Sequence, residues 1–555
     1  MSAQREEWQS TVGFVMAAVG SAVGLGNIWR FSYVTYENGG GAFLVPYLLA
    51  LFIIGIPLLI VEFGLGHYMK ASAPLTFFRI DRRFQWVGWW AVGFTMFGIL
   101  VYYCVVIAWC LNFILFAFYQ PWTGGADAFF FGEFLGAQGA DGSLRGPFEV
   151  TAPRLSVLVS LALVWIINGL IVGRGLRGGV EPVIRVFIPL LFVLMVVLVV
   201  WSLFLPGSGQ GLSWYLEPDW AKLADWRVWV QAITQIFFSL SLGFGIMIAY
   251  ASYLPERTNL PRNTLVTALA DSLFAVFAGV AVFATLGFMA RAQGLGVEEV
   301  VTSGIGLAFV AYPQVISELP FLPTVFGVVF FTALAIAGLS SSISLIQAFV
   351  SSLQDKYEVR RERVVAILCI LGFLLGGIFT TGAGISWLDI VDHFLTSYGL
   401  TVVALLEALI VGWVFGGERL AGHIEGASAG GMRFTGHYGT FMRVLTTVAM
   451  ALTWFGLHQA EGGLAPFLAR LFVLMSIAGI WLQRSWLDFS LKFIIPVVLL
   501  GLLDRALAEE LRVPYGGYSP EAVVAIGAGW LAVTLAIAVV IDLHSWRHDR
   551  RAAPD

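Results

Sequence analysis

Hydrophobic segments of about 18 residues or more recur along the chain, separated by short polar connections. An α-helix crosses the hydrocarbon core of a bilayer with about 20 residues, so each segment is a candidate transmembrane helix. This pattern predicts 14 spans; the alternative is 12 spans with an interfacial hairpin formed by the segments between 440 and 482. The segments are residues 12–36, 42–68, 86–119, 155–172, 182–205, 229–254, 264–289, 324–352, 364–381, 388–415, 440–457, 465–482, 488–504 and 521–542.

Two of these segments are interrupted by small and polar residues. The first contains GSAVGLGN (residues 20–27) and the sixth contains FFSLSLGFG (residues 237–245). Backbone groups that lose their helical partners inside a membrane are costly unless they face a polar cavity or a ligand. One such stretch is equally compatible with close helix packing. Two of them in corresponding positions of two halves favour a binding site at mid-membrane.

The two interrupted segments are five spans apart, and five is an odd number. A repeat of five spans must therefore insert its second copy upside down relative to the first. The sequence predicts an all-α polytopic membrane protein: an inverted repeat of five plus five transmembrane helices with discontinuous helices 1 and 6, plus additional C-terminal helices. The expected units are a first repeat (1–205), a second inverted repeat (206–416), a cytoplasmic loop with an extra helical hairpin (417–485), and two C-terminal helices with a cytoplasmic tail (486–555).

Basic residues are concentrated in connections that follow even-numbered spans. Lysine and arginine are enriched in loops on the cytoplasmic side of membrane proteins, so even-numbered spans are expected to end in the cytoplasm. The expected protein is therefore a multi-pass protein of the inner (cytoplasmic) membrane with both termini in the cytoplasm. Because the N-terminus MSAQREEW is short and polar, a cleavable signal is not expected. The basic residues concerned are Lys70, Arg79, Arg82, Arg83, Arg174, Arg177, Arg185, Arg360, Arg361 and Arg363.

Composition supports a membrane protein and argues against several other classes. Of 555 residues, 59% are hydrophobic and 12% are charged, which is too little charge for a soluble protein of this length. All three cysteines lie within predicted spans, which argues against a disulfide framework or a zinc site. A net charge of −4 gives no reason to expect nucleic-acid binding. The motifs HExxH and GxxxxGKS/T are absent, so an enzyme is not expected.

Several stretches of the sequence match the motifs of one transporter family. They are GSAVGLGNIWRF from residue 20, ENGGGAF from 37, VYYCVVIAW from 101, QIFFSLSLGFG from 235 and AGLSSSIS from 337. A Gly-x9-Pro spacing, Gly179 to Pro189, also opens the fifth span. As a set these motifs are very specific, and they resemble the neurotransmitter:sodium symporter family, in particular its bacterial amino-acid transporters. The resemblance covers spans 1 to 10.

The resemblance implies two sodium ions bound at the interrupted segments. Sodium is a hard cation that prefers oxygen ligands, which a broken helix offers as free carbonyls. The residues implied for sodium site 1 are Ala22, Asn27, Ser239 and Asp271. Those implied for sodium site 2 are Gly20, Val23, Ala337, Ser340 and Ser341. Ala337, Ser340 and Ser341 share one helix face, and ordinary interhelical hydrogen bonding is the alternative role for the serines.

The resemblance also implies a pocket for an amino acid. The substrate carboxylate would contact the first sodium and the free amides near Leu25 and Gly26, where a half-helix begins with its positive dipole end, and Tyr103 would donate its hydroxyl. An apolar side-chain pocket favours neutral hydrophobic or aromatic L-amino acids. Amine carriers of the family have an aspartate where this chain has Gly24, so a monoamine is not expected. The implied substrate-binding residues are Ser21, Ala22, Leu25, Gly26, Ile99, Tyr103, Phe238, Ser239, Ser241, Phe244, Ser341 and Leu345.

Two positions depart from the family pattern. Asp271 stands where many relatives have Asn, and Ala275 stands where chloride-dependent animal members have a chloride-binding Ser. A charged residue within a span costs about 2.5–3.5 kcal/mol or more and is functional by default. We therefore expect Asp271 to replace chloride and to make transport chloride-independent; proton antiport through Asp271 is left open. The other departure is Ser21, which replaces an Asn found in some bacterial relatives and leaves the contact to the substrate amino group undefined.

The resemblance further implies two gates built from ion pairs. Exposed ion pairs contribute about 0–1 kcal/mol, which suits a contact that opens in every cycle. The alternative for Arg5 and Asp355 is a solvated charge without a partner. The implied gate residues are Arg30 with Asp392 outside, and Arg5 with Asp355 inside, beside Trp8 and Tyr253.

The expected function is sodium-coupled symport by alternating access. Its expected partners are a small-molecule amino-acid substrate and the lipid bilayer. The alternatives are a sodium-dependent amino-acid receptor on the same fold and a transporter of another inverted-repeat family.

Overall fold

The chain is almost entirely helical. The computed structural model describes residues 6–139, 142–300, 304–357, 359–428, 437–458, 473–481 and 485–544. Within these ranges no strand is formed, and the only β-type pairings are two isolated bridges, Gly40 with Pro218 and Gln138 with Leu144. The predicted all-α fold with a discontinuous first and sixth span is confirmed.

The first five spans begin with a bent pair of helices. One later span, α5, contains a π-helical turn, Thr95–Ile99, immediately before the stretch that carries Tyr103. Such turns occur frequently at functional sites. The helices are α1 (Thr11–Ala22), α2 (Leu25–Glu37), α3 (Gly41–Met69), α4 (Ala73–Ile80), α5 (Arg82–Phe116), α6 (Ala128–Phe134), α7 (Leu155–Gly173) and α8 (Leu176–Leu203).

The remaining chain repeats this plan and then adds helices. The sixth span is again divided, into α10 and α11. The helices are α9 (Ser208–Leu216), α10 (Trp226–Ser239), α11 (Ile246–Ala251), α12 (Leu260–Gln293), α13 (Val297–Val300), α14 (Tyr312–Glu318), α15 (Pro323–Lys356), α16 (Arg361–Thr380), α17 (Gly384–Ala427), α18 (His437–His458), α19 (473–481), α20 (Trp486–Gly517) and α21 (Pro520–Leu543).

The helices that could cross a membrane agree with a multi-pass protein. Among the described residues, ten helices are long and apolar enough to span, or 11 when the bent pair α1 and α2 is counted as one span. The divided sixth span adds to these, because α10 with 14 residues and α11 with six are each too short to cross alone. The predictions of 14 and 12 spans differ over a region that includes residues 459–472 and 482–484, which lie outside the described residues.

The two helix breaks have different backbone conformations. α1 ends at Ala22 and is followed by Val23, whose backbone is extended (φ −74°, ψ 96°). α2 begins after Gly24, and the two helices are bent by 66°. The break between α10 and α11 contains three left-handed residues, Ser241 (φ 54°), Gly243 (φ 75°) and Gly245 (φ 69°). Glycine adopts positive φ without steric cost, so the glycine pair of the SLGFG stretch permits this turn.

The broken spans lie in the interior of the bundle. α1 packs against α8, α12 and α15, and α5 packs along α15. Residues 333–352 of α15 are all buried. The helices α7, α16 and α21, in contrast, expose large apolar side chains such as Leu163, Ile370 and Val533, as helices in contact with lipid do. This arrangement encloses both breaks in protein.

Candidate substrate and ion site

The two helix breaks contact each other at the centre of the bundle. The Ser241 hydroxyl donates a hydrogen bond to the Ser21 carbonyl oxygen at 3.1 Å, and the two serine hydroxyls are 3.5 Å apart. Gly26 allows the helices to approach, because a Cβ atom at this position would lie only 2.9 Å from Cε1 of Phe238. Small residues in both interrupted segments therefore bring two sets of free backbone groups together.

A small cavity of about 30 Å³ lies between the breaks. Ile99, Phe238, Phe244 and Leu345, which the resemblance implies for substrate binding, all line it. Leu25, Gly26 and Ser239 lie beside the wall, where they contact Tyr103, Phe238 and Asn27, respectively. Ile246 is a lining residue that the sequence analysis did not identify. The lining residues are Ser21, Ala22, Gly24, Asn27, Ile99, Tyr103, Phe238, Ser241, Phe244, Ile246, Ser341 and Leu345.

The residues expected at sodium site 1 form a buried polar network next to this cavity. Asn27 Nδ2 donates to Asp271 Oδ1 at 2.7 Å and to Ser239 Oγ at 3.0 Å. Ser239 Oγ donates to Asp271 Oδ2 at 2.6 Å. All three side chains are at most 1% exposed. Ala22 is the last residue of α1 and also lines the cavity. The network therefore joins α2, α10 and α12 through oxygen-rich groups of the type that hard cations prefer.

The residues expected at sodium site 2 also converge. Ser341 Oγ lies 3.3 Å from the carbonyl oxygens of Ser21 and Ala337 and 3.5 Å from that of Gly20. Ser340 Oγ donates to the Ala337 carbonyl at 2.9 Å. A hydroxyl has a single hydrogen to donate, so Ser341 cannot fully satisfy three carbonyls at once. The end of α1 and the middle of α15 thus meet in a carbonyl-rich site, with Val23 at the adjoining helix break.

The start of α2 is tied to α5 and to its own first turn. The Leu25 amide donates to the Tyr103 hydroxyl at 3.2 Å, and the Gly24 amide donates to Asn27 Oδ1 at 3.1 Å. These amides lie at the positive end of the helix dipole, where anionic groups are favoured. Tyr103 lies at this helix terminus, as the resemblance implies for a residue that contacts a carboxylate.

Sequence reasoning missed a carboxylate that supports the second break. Glu62 of α3 accepts a hydrogen bond from the Gly243 amide through Oε1 at 2.7 Å and is 1% exposed. Glu407 of α17 is also buried, at 3% exposed. The signal was present in the sequence, since both are ionisable residues within predicted spans, and such residues are functional by default.

The two residues expected to form the extracellular gate are not joined in this structure. The Arg30 guanidinium lies 5.0 Å from the ring centroid of Phe238, a residue of the cavity wall. Asp392 accepts a hydrogen bond from Tyr102 at 2.5 Å. Within the described part of the chain, no ion pair connects Arg30 with Asp392. Arg30 therefore covers the pocket through an aromatic contact.

On the opposite side, Trp8 is held beneath α11. Its backbone amide donates to the Tyr253 carbonyl at 3.1 Å, its indole donates to the Tyr250 carbonyl at 2.9 Å, and its side chain is buried. The Tyr253 hydroxyl is hydrogen bonded to Ser351 at 2.8 Å. Asp355 accepts from the Ser72 amide at 2.8 Å. The expected partner of Asp355, Arg5, lies outside the described residues.

Comparison with known proteins identifies relatives of this architecture. A family model described as the sodium:neurotransmitter symporter family matches residues 5–137 and 126–462. An uncharacterised sodium-dependent transporter of Methanocaldococcus jannaschii is 45% identical over 422 residues, which cover 76% of this chain and 84% of the relative.

Two mammalian transporters are also similar. The human sodium- and chloride-dependent GABA transporter 2 is 33% identical over 454 residues, covering 76% of this chain and 75% of the relative. The mouse sodium- and chloride-dependent neutral and basic amino acid transporter B(0+) is 35% identical over 477 residues, covering 76% and 74%. The chain therefore belongs to the sodium:neurotransmitter symporter family, whose members are sodium-dependent transporters and not enzymes.

Proposed function

We propose that this transporter imports neutral, hydrophobic or aromatic L-amino acids with sodium, by alternating access around the cavity between the two breaks. The proposal rests on the observation that the cavity wall has a polar part and an apolar part. Hydroxyl and amide groups lie beside the breaks, Ile99, Phe244 and Leu345 form the apolar part, and none of the described lining residues is charged. A zwitterionic amino acid with an apolar side chain has the same division, whereas a charged side chain would be buried without a partner.

The relatives differ in substrate, so the choice rests on the pocket. Their names include GABA, taurine, and neutral and basic amino acids. A basic side chain would need an anionic partner in the cavity, and the nearby Asp271 is already bound by Asn27 and Ser239. At Gly24 a Cβ would lie 3.0 Å from the Tyr103 hydroxyl and 3.1 Å from Ser341 Oγ. This tight fit leaves no space for an aspartate that would bind a monoamine, which supports an α-amino acid.

Two sodium ions are proposed to travel with each substrate. Site 1 would use Ala22, Asn27, Ser239 and Asp271, together with the substrate carboxylate. Site 2 would use the carbonyls and hydroxyls assembled around Ser341. Moving a charge through 100 mV yields about 2.3 kcal/mol, so two sodium ions with a zwitterion would sustain roughly a thousandfold accumulation.

Asp271 is proposed to supply the negative charge that chloride supplies in chloride-dependent members. The support is its position in the site 1 network and the presence of Ala275, which has no hydroxyl for an anion, one turn later. Transport would then be chloride-independent.

The gates and the topology complete the proposal. Arg30 and Asp392 would close the extracellular side by approaching each other, and Trp8 would release α11 when the cytoplasmic side opens. The units 1–205 and 206–416 would act as the two inverted repeats of a protein of the cytoplasmic membrane with both termini inside. The segments 417–485 and 486–555 would lie outside the repeats.

The test is uptake into proteoliposomes of a radiolabelled neutral amino acid, competed by each of the twenty amino acids, in a sodium or a potassium gradient. Hydrophobic and aromatic amino acids should compete, and uptake should vanish in potassium. Ile99→Phe should reduce competition by tryptophan more than competition by alanine, while Ile114→Phe, on the same helix outside the cavity, should not. Uptake indifferent to sodium would refute the proposal, and saturable binding without accumulation would identify a receptor.

Chloride replacement by gluconate tests the role of Asp271. Uptake by the unmodified protein should be unchanged. The double variant Asp271→Asn, Ala275→Ser should lose uptake in gluconate and regain it in chloride. Collapse of wild-type uptake without chloride would show that Asp271 does not replace the anion.

A further inference from the structure

An open groove lies between α7 and α16 and shares no lining residue with the transport site. It has a volume of about 700 Å³. Its edges are membrane-facing, since Ile166, Leu170 and Ile370 are each between 56% and 59% exposed. The lining residues are Ala162, Trp165, Ile166, Gly169, Leu170, Gly173, Arg174, Glu362, Val365, Ala366, Cys369, Ile370 and Phe373.

Two glycines of α7 leave this space open. A Cβ at Gly173 would meet no atom within 4 Å, and one at Gly169 would contact only Cys369 Sγ, at 3.3 Å. Towards the other end, α7 and α16 are in close contact, because a Cβ at Gly372 would overlap the Trp165 ring at 2.2 Å. The groove is therefore deepest near the end of α7 that carries Arg174.

The length of the groove corresponds to one leaflet of a bilayer. Arg174 and Ala162 mark its two ends along α7, which at 1.5 Å per residue places them about 18 Å apart. Half of the hydrocarbon core of a bilayer is about 15 Å thick. A groove with a cation at one end and an apolar lining over this length matches a single extended acyl chain with a charged headgroup.

Arg174 is the cation available to such a headgroup. Its side chain is exposed, and across the described ranges no hydrogen bond or ion pair joins it to the protein. Arg361, in contrast, donates to the Val172 carbonyl at 2.7 Å and to Gln354 Oε1 at 3.2 Å. The one acidic lining residue, Glu362, lies 3.9 Å from the guanidinium of Arg360.

We propose that this groove binds an anionic glycerophospholipid, with one acyl chain over Gly169 and Gly173 and the phosphate on Arg174. A guanidinium binds phosphate through two parallel hydrogen bonds, and basic residues at the membrane surface attract anionic lipids. The lipid would contact one helix from each half of the fold, α7 and α16, and would hold them together from the outside. The site does not depend on the proposed substrate.

The test uses purified full-length protein in nanodiscs of phosphatidylcholine with a minor fraction of phosphatidylglycerol that carries a photoactivatable acyl chain. Adducts are mapped by mass spectrometry, and retained lipid is counted by native mass spectrometry. Gly173→Phe fills the groove; its control is Gly501→Phe, an exposed glycine of α20 where a Cβ also meets nothing within 4 Å. Arg174→Gln removes the cation; its control is Arg363→Gln, an exposed residue outside the groove.

Adducts should concentrate in residues 162–174 and 362–373. Gly173→Phe should abolish them, and Arg174→Gln should lower phosphatidylglycerol retention about fivefold, while both controls remain like wild type. Adducts spread evenly over all outward-facing helices would overturn the proposal. So would equal retention of phosphatidylcholine, or a dimer in native spectra that Gly173→Phe dissociates, which would assign the groove to a second copy of the chain.

Discussion

The break in the first span and the break in the sixth span are held open by different means. The first uses ordinary backbone angles at Val23 and Gly24, and its free groups are bound by side chains of the site: Asn27, Tyr103 and Ser341. The sixth uses left-handed residues, and the side chain that binds its backbone comes from a remote helix.

That remote side chain is Glu62, whose carboxylate accepts from the Gly243 amide. It does not line the cavity. The sixth-span break therefore has a conformation set by its own glycines and by Glu62, independent of any ligand. The first-span break depends on the same groups that are proposed to bind sodium and substrate. We infer that ligand binding changes the conformation of the first break, while the conformation of the sixth break changes little.

The largest effect is expected for Asn27→Leu. Asn27 links the Gly24 amide of the first break to the buried Asp271 at 2.7 Å. Removing a hydrogen-bond partner of a buried charged group costs more than the roughly 1–3 kcal/mol lost at a neutral group, so the free energy of unfolding should fall by about 3 kcal/mol or more and uptake should be lost. A thiol-reactive dye can follow unfolding on heating, because Cys104 and Cys110 are fully buried.

Asn168→Leu is the matched control. Asn168 is also fully buried. It donates a hydrogen bond to the Val164 carbonyl at 3.0 Å and accepts one from Ser342 at 2.8 Å, and both of these partners are neutral. Its loss should cost about 1–3 kcal/mol. Equal losses for the two variants would contradict the role assigned to the charge of Asp271.

Glu62→Ala should have the next largest effect. It leaves the Gly243 amide buried without an acceptor, which costs about 1–3 kcal/mol. Glu62→Gln keeps an acceptor oxygen and should restore part of this loss, both in thermal unfolding and in the rate of uptake. If the two variants unfold at the same temperature, the sixth break is not held by Glu62.

A pair of glycine substitutions tests whether the sixth break determines stability and the first break determines substrate affinity. Gly243→Ala forces an alanine into φ 75°, which costs roughly 1–2 kcal/mol of stability. Gly24→Ala keeps an allowed backbone (φ −119°), but its Cβ would lie 3.0 Å from the Tyr103 hydroxyl and 3.1 Å from Ser341 Oγ. The first variant should unfold earlier, while the second should mainly lose affinity for substrate, by about tenfold. Radioligand binding beside thermal unfolding measures both, and the reverse pattern would refute the contrast.

The sequence predicted both breaks because their cause is local. Glycine, serine and asparagine concentrated at mid-span favour a helix break when they recur in corresponding positions of two halves, so GSAVGLGN and SLGFG could be recognised without a structure. The apolar wall of the cavity was predicted by resemblance, and the structure brings Ile99, Phe238, Phe244 and Leu345 together as expected.

What escaped prediction depends on long-range packing. Glu62 and Gly243 are 181 residues apart, and no periodicity in either segment indicates that they meet. The gate pair shows the same limit: the residues Arg30 and Asp392 can be matched to a motif, but whether they touch depends on the conformation, and here Arg30 lies on Phe238 while Asp392 binds Tyr102.

The smallest effect is expected at Ser241, where the two breaks touch. Ser241→Ala keeps the left-handed backbone but removes the hydrogen bond to the Ser21 carbonyl, so stability should fall by about 0.5–1.5 kcal/mol. Ser241→Gly removes the same bond but relieves the strain of φ 54°, worth roughly 1–2 kcal/mol, and should unfold within about 1 kcal/mol of wild type. Substrate affinity should fall equally in both, because both lose the hydroxyl that lines the cavity. If instead the glycine variant is the less stable one, the sixth break depends on its serine contact with the first break. The conformations of the two breaks would then not be independent of each other.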